Sequence, residues 1–413
     1  MNVISLFSGA GGMDLGFINQ GFNILWANDF DINAVNTYKK NIGNHIYYGD
    51  ITEVDYEGIT DEEVDVIIGG FPCQGFSVAN KNRGMHDERN FLYLELLKAI
   101  KYFNPKFFVA ENVKGLVGME SGEVIKLIVN DFEKLGYKVD YKILNSADYG
   151  VPQKRERVII MGNRIGINNR FPEKEFFDPI LLQNSLFEFD FDSSKYYKTV
   201  KDSIGFLADL ELQNGKKAEY DIVDNRIIYN HVASTKVQDK FWGRKYKVNQ
   251  ADICDYLKFW RDKSNWTTKK IDDHFGYKHT AGHWFRKDNK SGSIPKPSDW
   301  LELKKILNFD DKYDEQVLTF VEKPIKFEQS LRITNWDRPS DTITATSPEI
   351  HINKTRRLSV RECAILQTFP DDFVFTGSLN SMYRQIGNAV PVLLAEKIAI
   401  EIKNKLLEKS SLV

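Results

Sequence analysis

Cysteine is scarce, with three in 413 residues: Cys73, Cys254 and Cys363, far apart and forming no CxxC pair. That spacing argues against a disulfide framework and against a zinc site, and it fits a reducing cytoplasm. Long apolar runs are missing too, since no window approaches the roughly 18 residues of a membrane span. The opening MNVISLFSGAGG has no basic stretch ahead of a long apolar one, so it does not read as a signal peptide. Net positive charge is absent. At −2 overall, any binding of nucleic acid must come from basic residues gathered in one region. There is no internal repeat and no low-complexity tract. What remains, 42% hydrophobic and 28% charged, is the composition of a globular chain long enough for one large domain and a smaller one.

Residues 1 to about 165 alternate β-branched or aromatic runs with amphipathic stretches. The runs predict strands at Val3–Phe7, Phe22–Asn28, His45–Tyr48, Val64–Ile68, Phe107–Ala110, Lys138–Leu144 and Arg157–Gly162. Helical spacing falls at Phe91–Phe103 and Ser121–Leu135. This is the rhythm of an α/β fold with a parallel sheet and crossover helices. It breaks after Arg164, a helix-rich insert follows between Asn249 and Val321, and further helices are signalled at Ser359–Thr368 and Val390–Leu407.

The first strand ends in Phe7-Ser8-Gly9-Ala10-Gly11-Gly12, a turn whose glycines let backbone approach a ligand ahead of a helix N-terminus. The second ends at Asn28-Asp29-Phe30-Asp31, where Asp29 could accept from ribose hydroxyls and Phe30 lie against an adenine ring. Asp50 follows the third strand and could take the adenine amino group. A solvated turn is the bland reading of each feature alone. Three in this order point to an adenosine-containing cofactor, and FxGxGG in place of GxGxxG argues against a dinucleotide.

The fourth strand runs into Gly69-Gly70-Phe71-Pro72-Cys73-Gln74-Gly75-Phe76-Ser77. An isolated cysteine is more often a packing residue, but here a rigid proline and small neighbours leave it accessible at a strand end. Phe71-Pro72-Cys73-Gln74 together with the glycine turn resembles the DNA (cytosine-5) methyltransferases of bacterial restriction–modification systems. Glu111-Asn112-Val113, Gln153-Lys154-Arg155-Glu156-Arg157, Arg357-Leu358-Ser359-Val360-Arg361-Glu362 and Gln385-Ile386-Gly387-Asn388-Ala389-Val390-Pro391 fit the same family in the same order.

The resemblance implies an S-adenosylmethionine-dependent methyltransferase fold, a Rossmann-like and mostly parallel sheet facing a smaller target-recognition domain. It implies S-adenosylmethionine as cofactor and S-adenosylhomocysteine as product, bound by Phe7, Gly9, Gly11, Gly12, Asp29, Phe30, Asp50, Ile51, Pro72 and Asn388. Cys73 is then the nucleophile. Its thiolate adds to C6 of cytosine, C5 takes the methyl group and loses its proton, and Cys73 is eliminated. No side chain is an obvious base for that proton, which leaves water. A protonated Glu111 could serve N3. Arg155 and Arg157 would share a face if extended, one holding O2 and Glu111, the other a phosphate. Base flipping is required to reach C6, and the polar segment Ser77–Asn90, with Arg83, reads as a closing loop. Gln74, Ser77 and Arg83 are candidate DNA contacts.

From Lys236 to Lys290 fourteen Lys/Arg stand against seven Asp/Glu, a local charge of +7, with eleven aromatics interleaved. Thr267–Phe275 and Thr280–Lys287 read as a helix-turn-helix, and His279–Arg286 resembles a module of other site-specific DNA methyltransferases. Lys278, His283, Arg286 and Lys287 are candidate DNA contacts. His279 and His283 lack further ligands, so no metal site is expected. The expected division is a catalytic domain over 1–195, a target-recognition domain over 196–371 with its helical insert at about 249–321, and a completing segment over 372–413. The expected partner is duplex DNA, bound by a monomer on the bacterial nucleoid, with a cognate nuclease acting separately. Alternatives are a tRNA cytosine-5 methyltransferase, a catalytically dead DNA-tethered regulator and a nicotinamide-dependent dehydrogenase. The basic middle region, the complete motifs and the glycine pattern, respectively, argue against them.

Overall fold

The structure is a computed structural model that describes residues 1–72, 92–179, 192–213, 220–235, 250–276, 283–285, 294–318, 332–346, 348–353 and 355–410. The chain begins with β1 (Asn2–Leu6), α1 (Gly12–Asn19), β2 (Asn23–Asp29), α2 (Ile32–Asn41), β3 (Ile46–Tyr48) and β4 (Val66–Gly69). α3 (Leu92–Phe103), β5 (Phe107–Val113), α4 (Glu123–Glu133), β6 (Lys138–Asn145) and β7 (Glu156–Asn163) follow. The seven strands form one sheet in the order β3-β2-β1-β4-β5-β7-β6. The first five pair in parallel, and β7 lies antiparallel between β5 and β6.

Both sheet faces are covered, which explains the near-continuous apolar strands. Val3, Ile68, Val109 and Ile159 point toward α1 and α2, where Phe17, Val35 and Tyr38 close the layer. Their neighbours Ile4, Ile67, Phe108 and Ile160 point the other way, against Leu96 and Ile100 of α3 and Ile128 and Phe132 of α4. Alternate residues thus feed two cores, as a pleated strand requires.

After β7 come α5 (Val200–Ile204) and a hairpin of β8 (Tyr220–Val223) and β9 (Arg226–Tyr229). Then follow α6 (Gln250–Lys263), α7 (Thr268–Phe275), α8 (Pro297–Leu307) and α9 (Asp314–Leu318), and finally α10 (Val360–Leu366), α11 (Leu379–Asn388) and α12 (Val392–Ser410). Residues 1–233, 334–352 and 358–413 form one compact unit, and 234–333 with 353–357 a second. The domain boundaries expected at 195 and 371 are corrected accordingly. Val200 and Ile204 pack with Val360, Cys363, Phe369 and Phe373, so these segments share one core of the larger unit. Ser359 and Glu362 start α10 with a reciprocal capping box, each side chain accepting from the other's backbone N–H.

The second unit is helical around Leu257, Ile271, Trp284, Phe285, Trp300 and Leu303. The first helix of the expected pair is present as α7, capped by Thr267 and ended by Gly276 at φ 73°. Of the second helix expected over 280–287 only His283–Phe285 is described, as a 3-10 turn whose Trp284 and Phe285 are buried in the core. Lys278, Arg286, Lys287 and the side chain of His283 lie outside the described residues. Among the described residues no helix is long and apolar enough to cross a membrane.

Candidate active site

The expected cofactor residues meet at the carboxyl ends of β1 to β4. Ser8 N–H donates to the Asn28 carbonyl at 2.9 Å, pinning the turn after β1 to the end of β2. Gly9 at φ +57° turns its bare Cα to open space, since a Cβ there would meet nothing within 4 Å. Its N–H donates to Asp29 Oδ2 at 2.8 Å, and Asp31 N–H donates to Asp29 Oδ1 at 2.8 Å. Burial pushes the Asp29 carboxyl above its ordinary value, with the two N–H donors opposing. Each oxygen keeps a further lone pair for a ligand hydroxyl.

Phe30, next along, is 73% exposed, an unusual state for a phenyl ring and one that suits a stacking platform. Asp50, exposed after β3, accepts from the N–H and hydroxyl of Thr52, and Ile51 beside it is buried. Asn388 is exposed at the end of α11, just before the Ala389-Val390 backbone that passes within 2.6 Å of where a Cβ on Gly12 would sit. An open glycine turn, a buried carboxylate with spare acceptors and a bare aromatic ring fit an adenosine-containing group.

The catalytic candidates sit one strand over. Asn112 Nδ2 donates to the Phe71 carbonyl at 2.9 Å, tying the end of β5 to the turn that runs through Pro72. A Cβ on Gly70 would lie 3.2 Å from Glu111 Oε2, so only glycine lets the turn pass the carboxylate without crowding. Cys73, Gln74, Ser77 and Arg83 lie outside the described residues. Glu111 pairs with Arg157 across β5 and β7, Nε to Oε1 at 2.9 Å, both side chains largely shielded. Arg157 also lines an open cavity of about 500 Å³ together with Lys114, Asn145, Lys154, Glu156 and Tyr197.

Arg155 departs from expectation. Arg155 stands just before β7 begins at Glu156, its carbonyl accepts from Ser146 N–H at 2.9 Å, and its charge lies close enough to Arg157 and Glu111 to feel both. It is 1% exposed, and its Nη1 and Nη2 donate to the carbonyls of Ile343 at 3.1 Å and Gly387 at 2.9 Å. Burial holds its guanidinium well below the ordinary value, and the charge of Arg157 adds to that. Its position is that of a clamp between segments and not that of a phosphate contact.

The profile of the C-5 cytosine-specific DNA methylase family matches residues 1–404. The chain belongs to that family. Similar to it are the Type II methyltransferase M.FnuDI of Fusobacterium nucleatum, 34% identical over all of this chain and 97% of that protein, and M1.HphI of Haemophilus parahaemolyticus, 32% identical over 97% and 86%. The Schizosaccharomyces pombe Dnmt2 methyltransferase shares the fold at a TM-score of 0.53 and 15% identity, over 98% of this chain and 99% of that one. In this member of the family the glycine turn follows β1, and Glu111 of β5 pairs with Arg157 of β7. Lys114, Lys154 and Tyr197 went unnoticed in the sequence. The first two stand inside or directly after quoted motifs, and that position was the available signal, whereas Tyr197 gave none. Among the described residues no cluster of acidic, cysteine or histidine side chains could hold a metal.

Proposed function

We propose that this methylase transfers the methyl group of S-adenosylmethionine to C5 of a flipped-out cytosine in duplex DNA, through a covalent bond between Cys73 and C6. The observation that carries the reading is the shielded Glu111–Arg157 pair at 2.9 Å beside the turn that leads directly into Cys73. S-adenosylmethionine supplies an electrophilic methyl group on a sulfonium centre. Everything else falls to the chain. The Cys73 thiolate adds to C6, and the charge that develops on N3 and O2 is met by Glu111 and Arg157. Once C5 carries the methyl group its proton passes to water, the Sγ–C6 bond breaks, and Cys73 leaves as thiolate.

Asp29 would hold the ribose hydroxyls, Phe30 would stack on adenine, and Asp50 would accept from its amino group, with Asn388 on the same side. The cavity lined by Arg157, Lys114 and Lys154 suits the extruded nucleotide and its backbone. The basic second unit is the proposed target-recognition domain. The similar Type II enzymes support a role as the modification half of a restriction–modification pair in a bacterial cytoplasm, acting as a monomer on DNA.

Duplex DNA with 5-fluorocytosine at the target cannot complete proton loss. The enzyme should therefore remain attached to it through denaturing electrophoresis, with the adduct mapping to the peptide holding Cys73. An adduct elsewhere, or none while ordinary DNA is methylated, would sink the covalent route. Phe30→Ala should weaken cofactor binding about tenfold, on the order of the 1.4 kcal/mol of one ring contact. Calorimetric titration would read that change. The melting temperature should stay put, because the ring is already exposed.

A further inference from the structure

Beneath the glycine turn lies a carboxylate that the chemistry above does not use. Asp14, in the first turn of α1, is fully buried. Ser5 Oγ on β1 donates to its Oδ1 at 2.8 Å, and Tyr38 Oη on α2 donates to its Oδ2 at 2.8 Å. The chain of donors extends at both ends. Ser8, inside the turn itself, has its hydroxyl 2.9 Å from Ser5 Oγ, and His45 Nε2 lies 3.0 Å from Tyr38 Oη.

A hydroxyl has one proton to give. Ser5 and Tyr38 spend theirs on Asp14, so Ser5 Oγ can only accept from Ser8, whose hydroxyl also lies 3.2 Å from the Ser5 carbonyl, and His45 must donate through Nε2–H to Tyr38. All four donors then point inward at one negative charge. Protonating Asp14 adds a fifth proton where each oxygen already receives one, so one arm must reverse or break. Reversal on the Ser5 side would turn the hydroxyl of Ser8, in the cofactor turn.

We propose that ionised Asp14 is a positioning residue for the cofactor turn, holding Ser8 through Ser5, and that binding of a sulfonium cofactor is therefore linked to a proton on this carboxylate. The proposal rests on the S-adenosylmethionine reading above. The immediate hydrogen-bond partners of Asp14 are neutral hydroxyls, so an incoming sulfonium is a countercharge for it across a low-dielectric turn. S-adenosylhomocysteine, lacking that charge, is not.

The groups facing Asp14 are few. From α2 there is Tyr38, whose phenol is pushed up by burial, and from the segment before β3 there is His45, which burial pushes down. From the end of β2, Asp29 adds like charge. Arg384 of α11 is engaged with Asp31 at 2.8 Å, and Glu396 of α12 accepts from Asn19 at the far end of α1. Burial, with Asp29 assisting, pushes the Asp14 carboxyl up to about 6, against the pull of Ser5 and Tyr38. The ionised form that favours the sulfonium is thus present above about pH 6 and is lost as pH falls through that value.

Calorimetric titration of the full-length protein with S-adenosylmethionine and with S-adenosylhomocysteine, between pH 5 and 8, tests this. The dissociation constant for S-adenosylmethionine should be flat above pH 7 and rise steeply below 6, while that for S-adenosylhomocysteine, which depends on the turn but not on the charge, should rise less. In Asp14→Asn the difference between the two ligands' profiles should vanish. Persistence of the slope in Asp14→Asn would assign it to another group and overturn the proposal, as would a flat profile in the wild type. Should Asp14→Asn fail to fold, Ser5→Ala decides, since cutting the Ser8 arm should weaken binding of both ligands several-fold and, by removing a donor that holds the Asp14 charge, move the inflection to higher pH. An unchanged Ser5→Ala profile overturns the idea equally. If the wild type binds neither ligand at any pH, the cofactor reading itself falls and takes this proposal with it.

Discussion

Glu111→Gln is expected to slow methyl transfer by about 10² to 10⁴-fold, the range for losing a positioned proton donor. The amide keeps the shape of the side chain and can still donate a hydrogen bond, but it cannot hand a proton to N3. Affinity for the cofactor should be unchanged, because the glycine turn, Asp29 and Phe30 are separate from β5. Stability should fall by roughly 1–3 kcal/mol, since Arg157 keeps its charge at 12% exposure while losing its partner. Arg157 retains its bond from Nη1 to the Glu156 carbonyl at 2.8 Å, which limits the loss. Adding Arg157→Met to Glu111→Gln should cost less in rate than the two single effects combined, because the residues act as a pair. Single-turnover methylation of duplex DNA, with the cofactor constant measured separately, reads all three. A Glu111→Gln rate within a few-fold of wild type would remove Glu111 from the chemistry.

How legible was this in the sequence? The strands were, because the central ones are apolar on both faces and β-branched or aromatic residues mark the others. The seven runs fall within three residues of β1 to β7. Strand order was not, since nothing local records that β7 inserts antiparallel between β5 and β6. Glu111 and Arg157 could be named because they stand at strand ends within motifs. The burial of Arg155 could not be read, because it depends on carbonyls nearly 190 and more than 230 residues away. Asp14 looked like any polar residue on a helix. Its role comes from Ser5, Tyr38 and His45, which only the folded sheet brings together.

Gly16→Ala is expected to destabilise the larger unit by roughly 3 kcal/mol, at the upper end for overpacking. A Cβ there would sit 2.5 Å from Ala395 Cβ, 2.7 Å from the Val392 carbonyl and 2.8 Å from the Glu396 nitrogen. Two of those three atoms are backbone, so no side-chain rotation relieves the contact. α1 and α12 would have to separate, loosening Leu394, Ile398 and Ile402 from Phe17. Urea titration followed by circular dichroism measures the loss, and a variant within 0.5 kcal/mol of wild type would mean that the two helices are not so tightly apposed. The same movement would disturb Gly12 and the turn above it, so cofactor affinity should fall with stability.

That apposition has a consequence for how the protein is made. α1 ends at Asn19, yet the surface that covers it is translated only from Val392 onward. Until then its apolar side has no native cover, and the cofactor turn no lasting shape. Folding of this unit therefore waits for α12, and a nascent chain stalled before that helix should be a client for chaperones and an easy target for proteases.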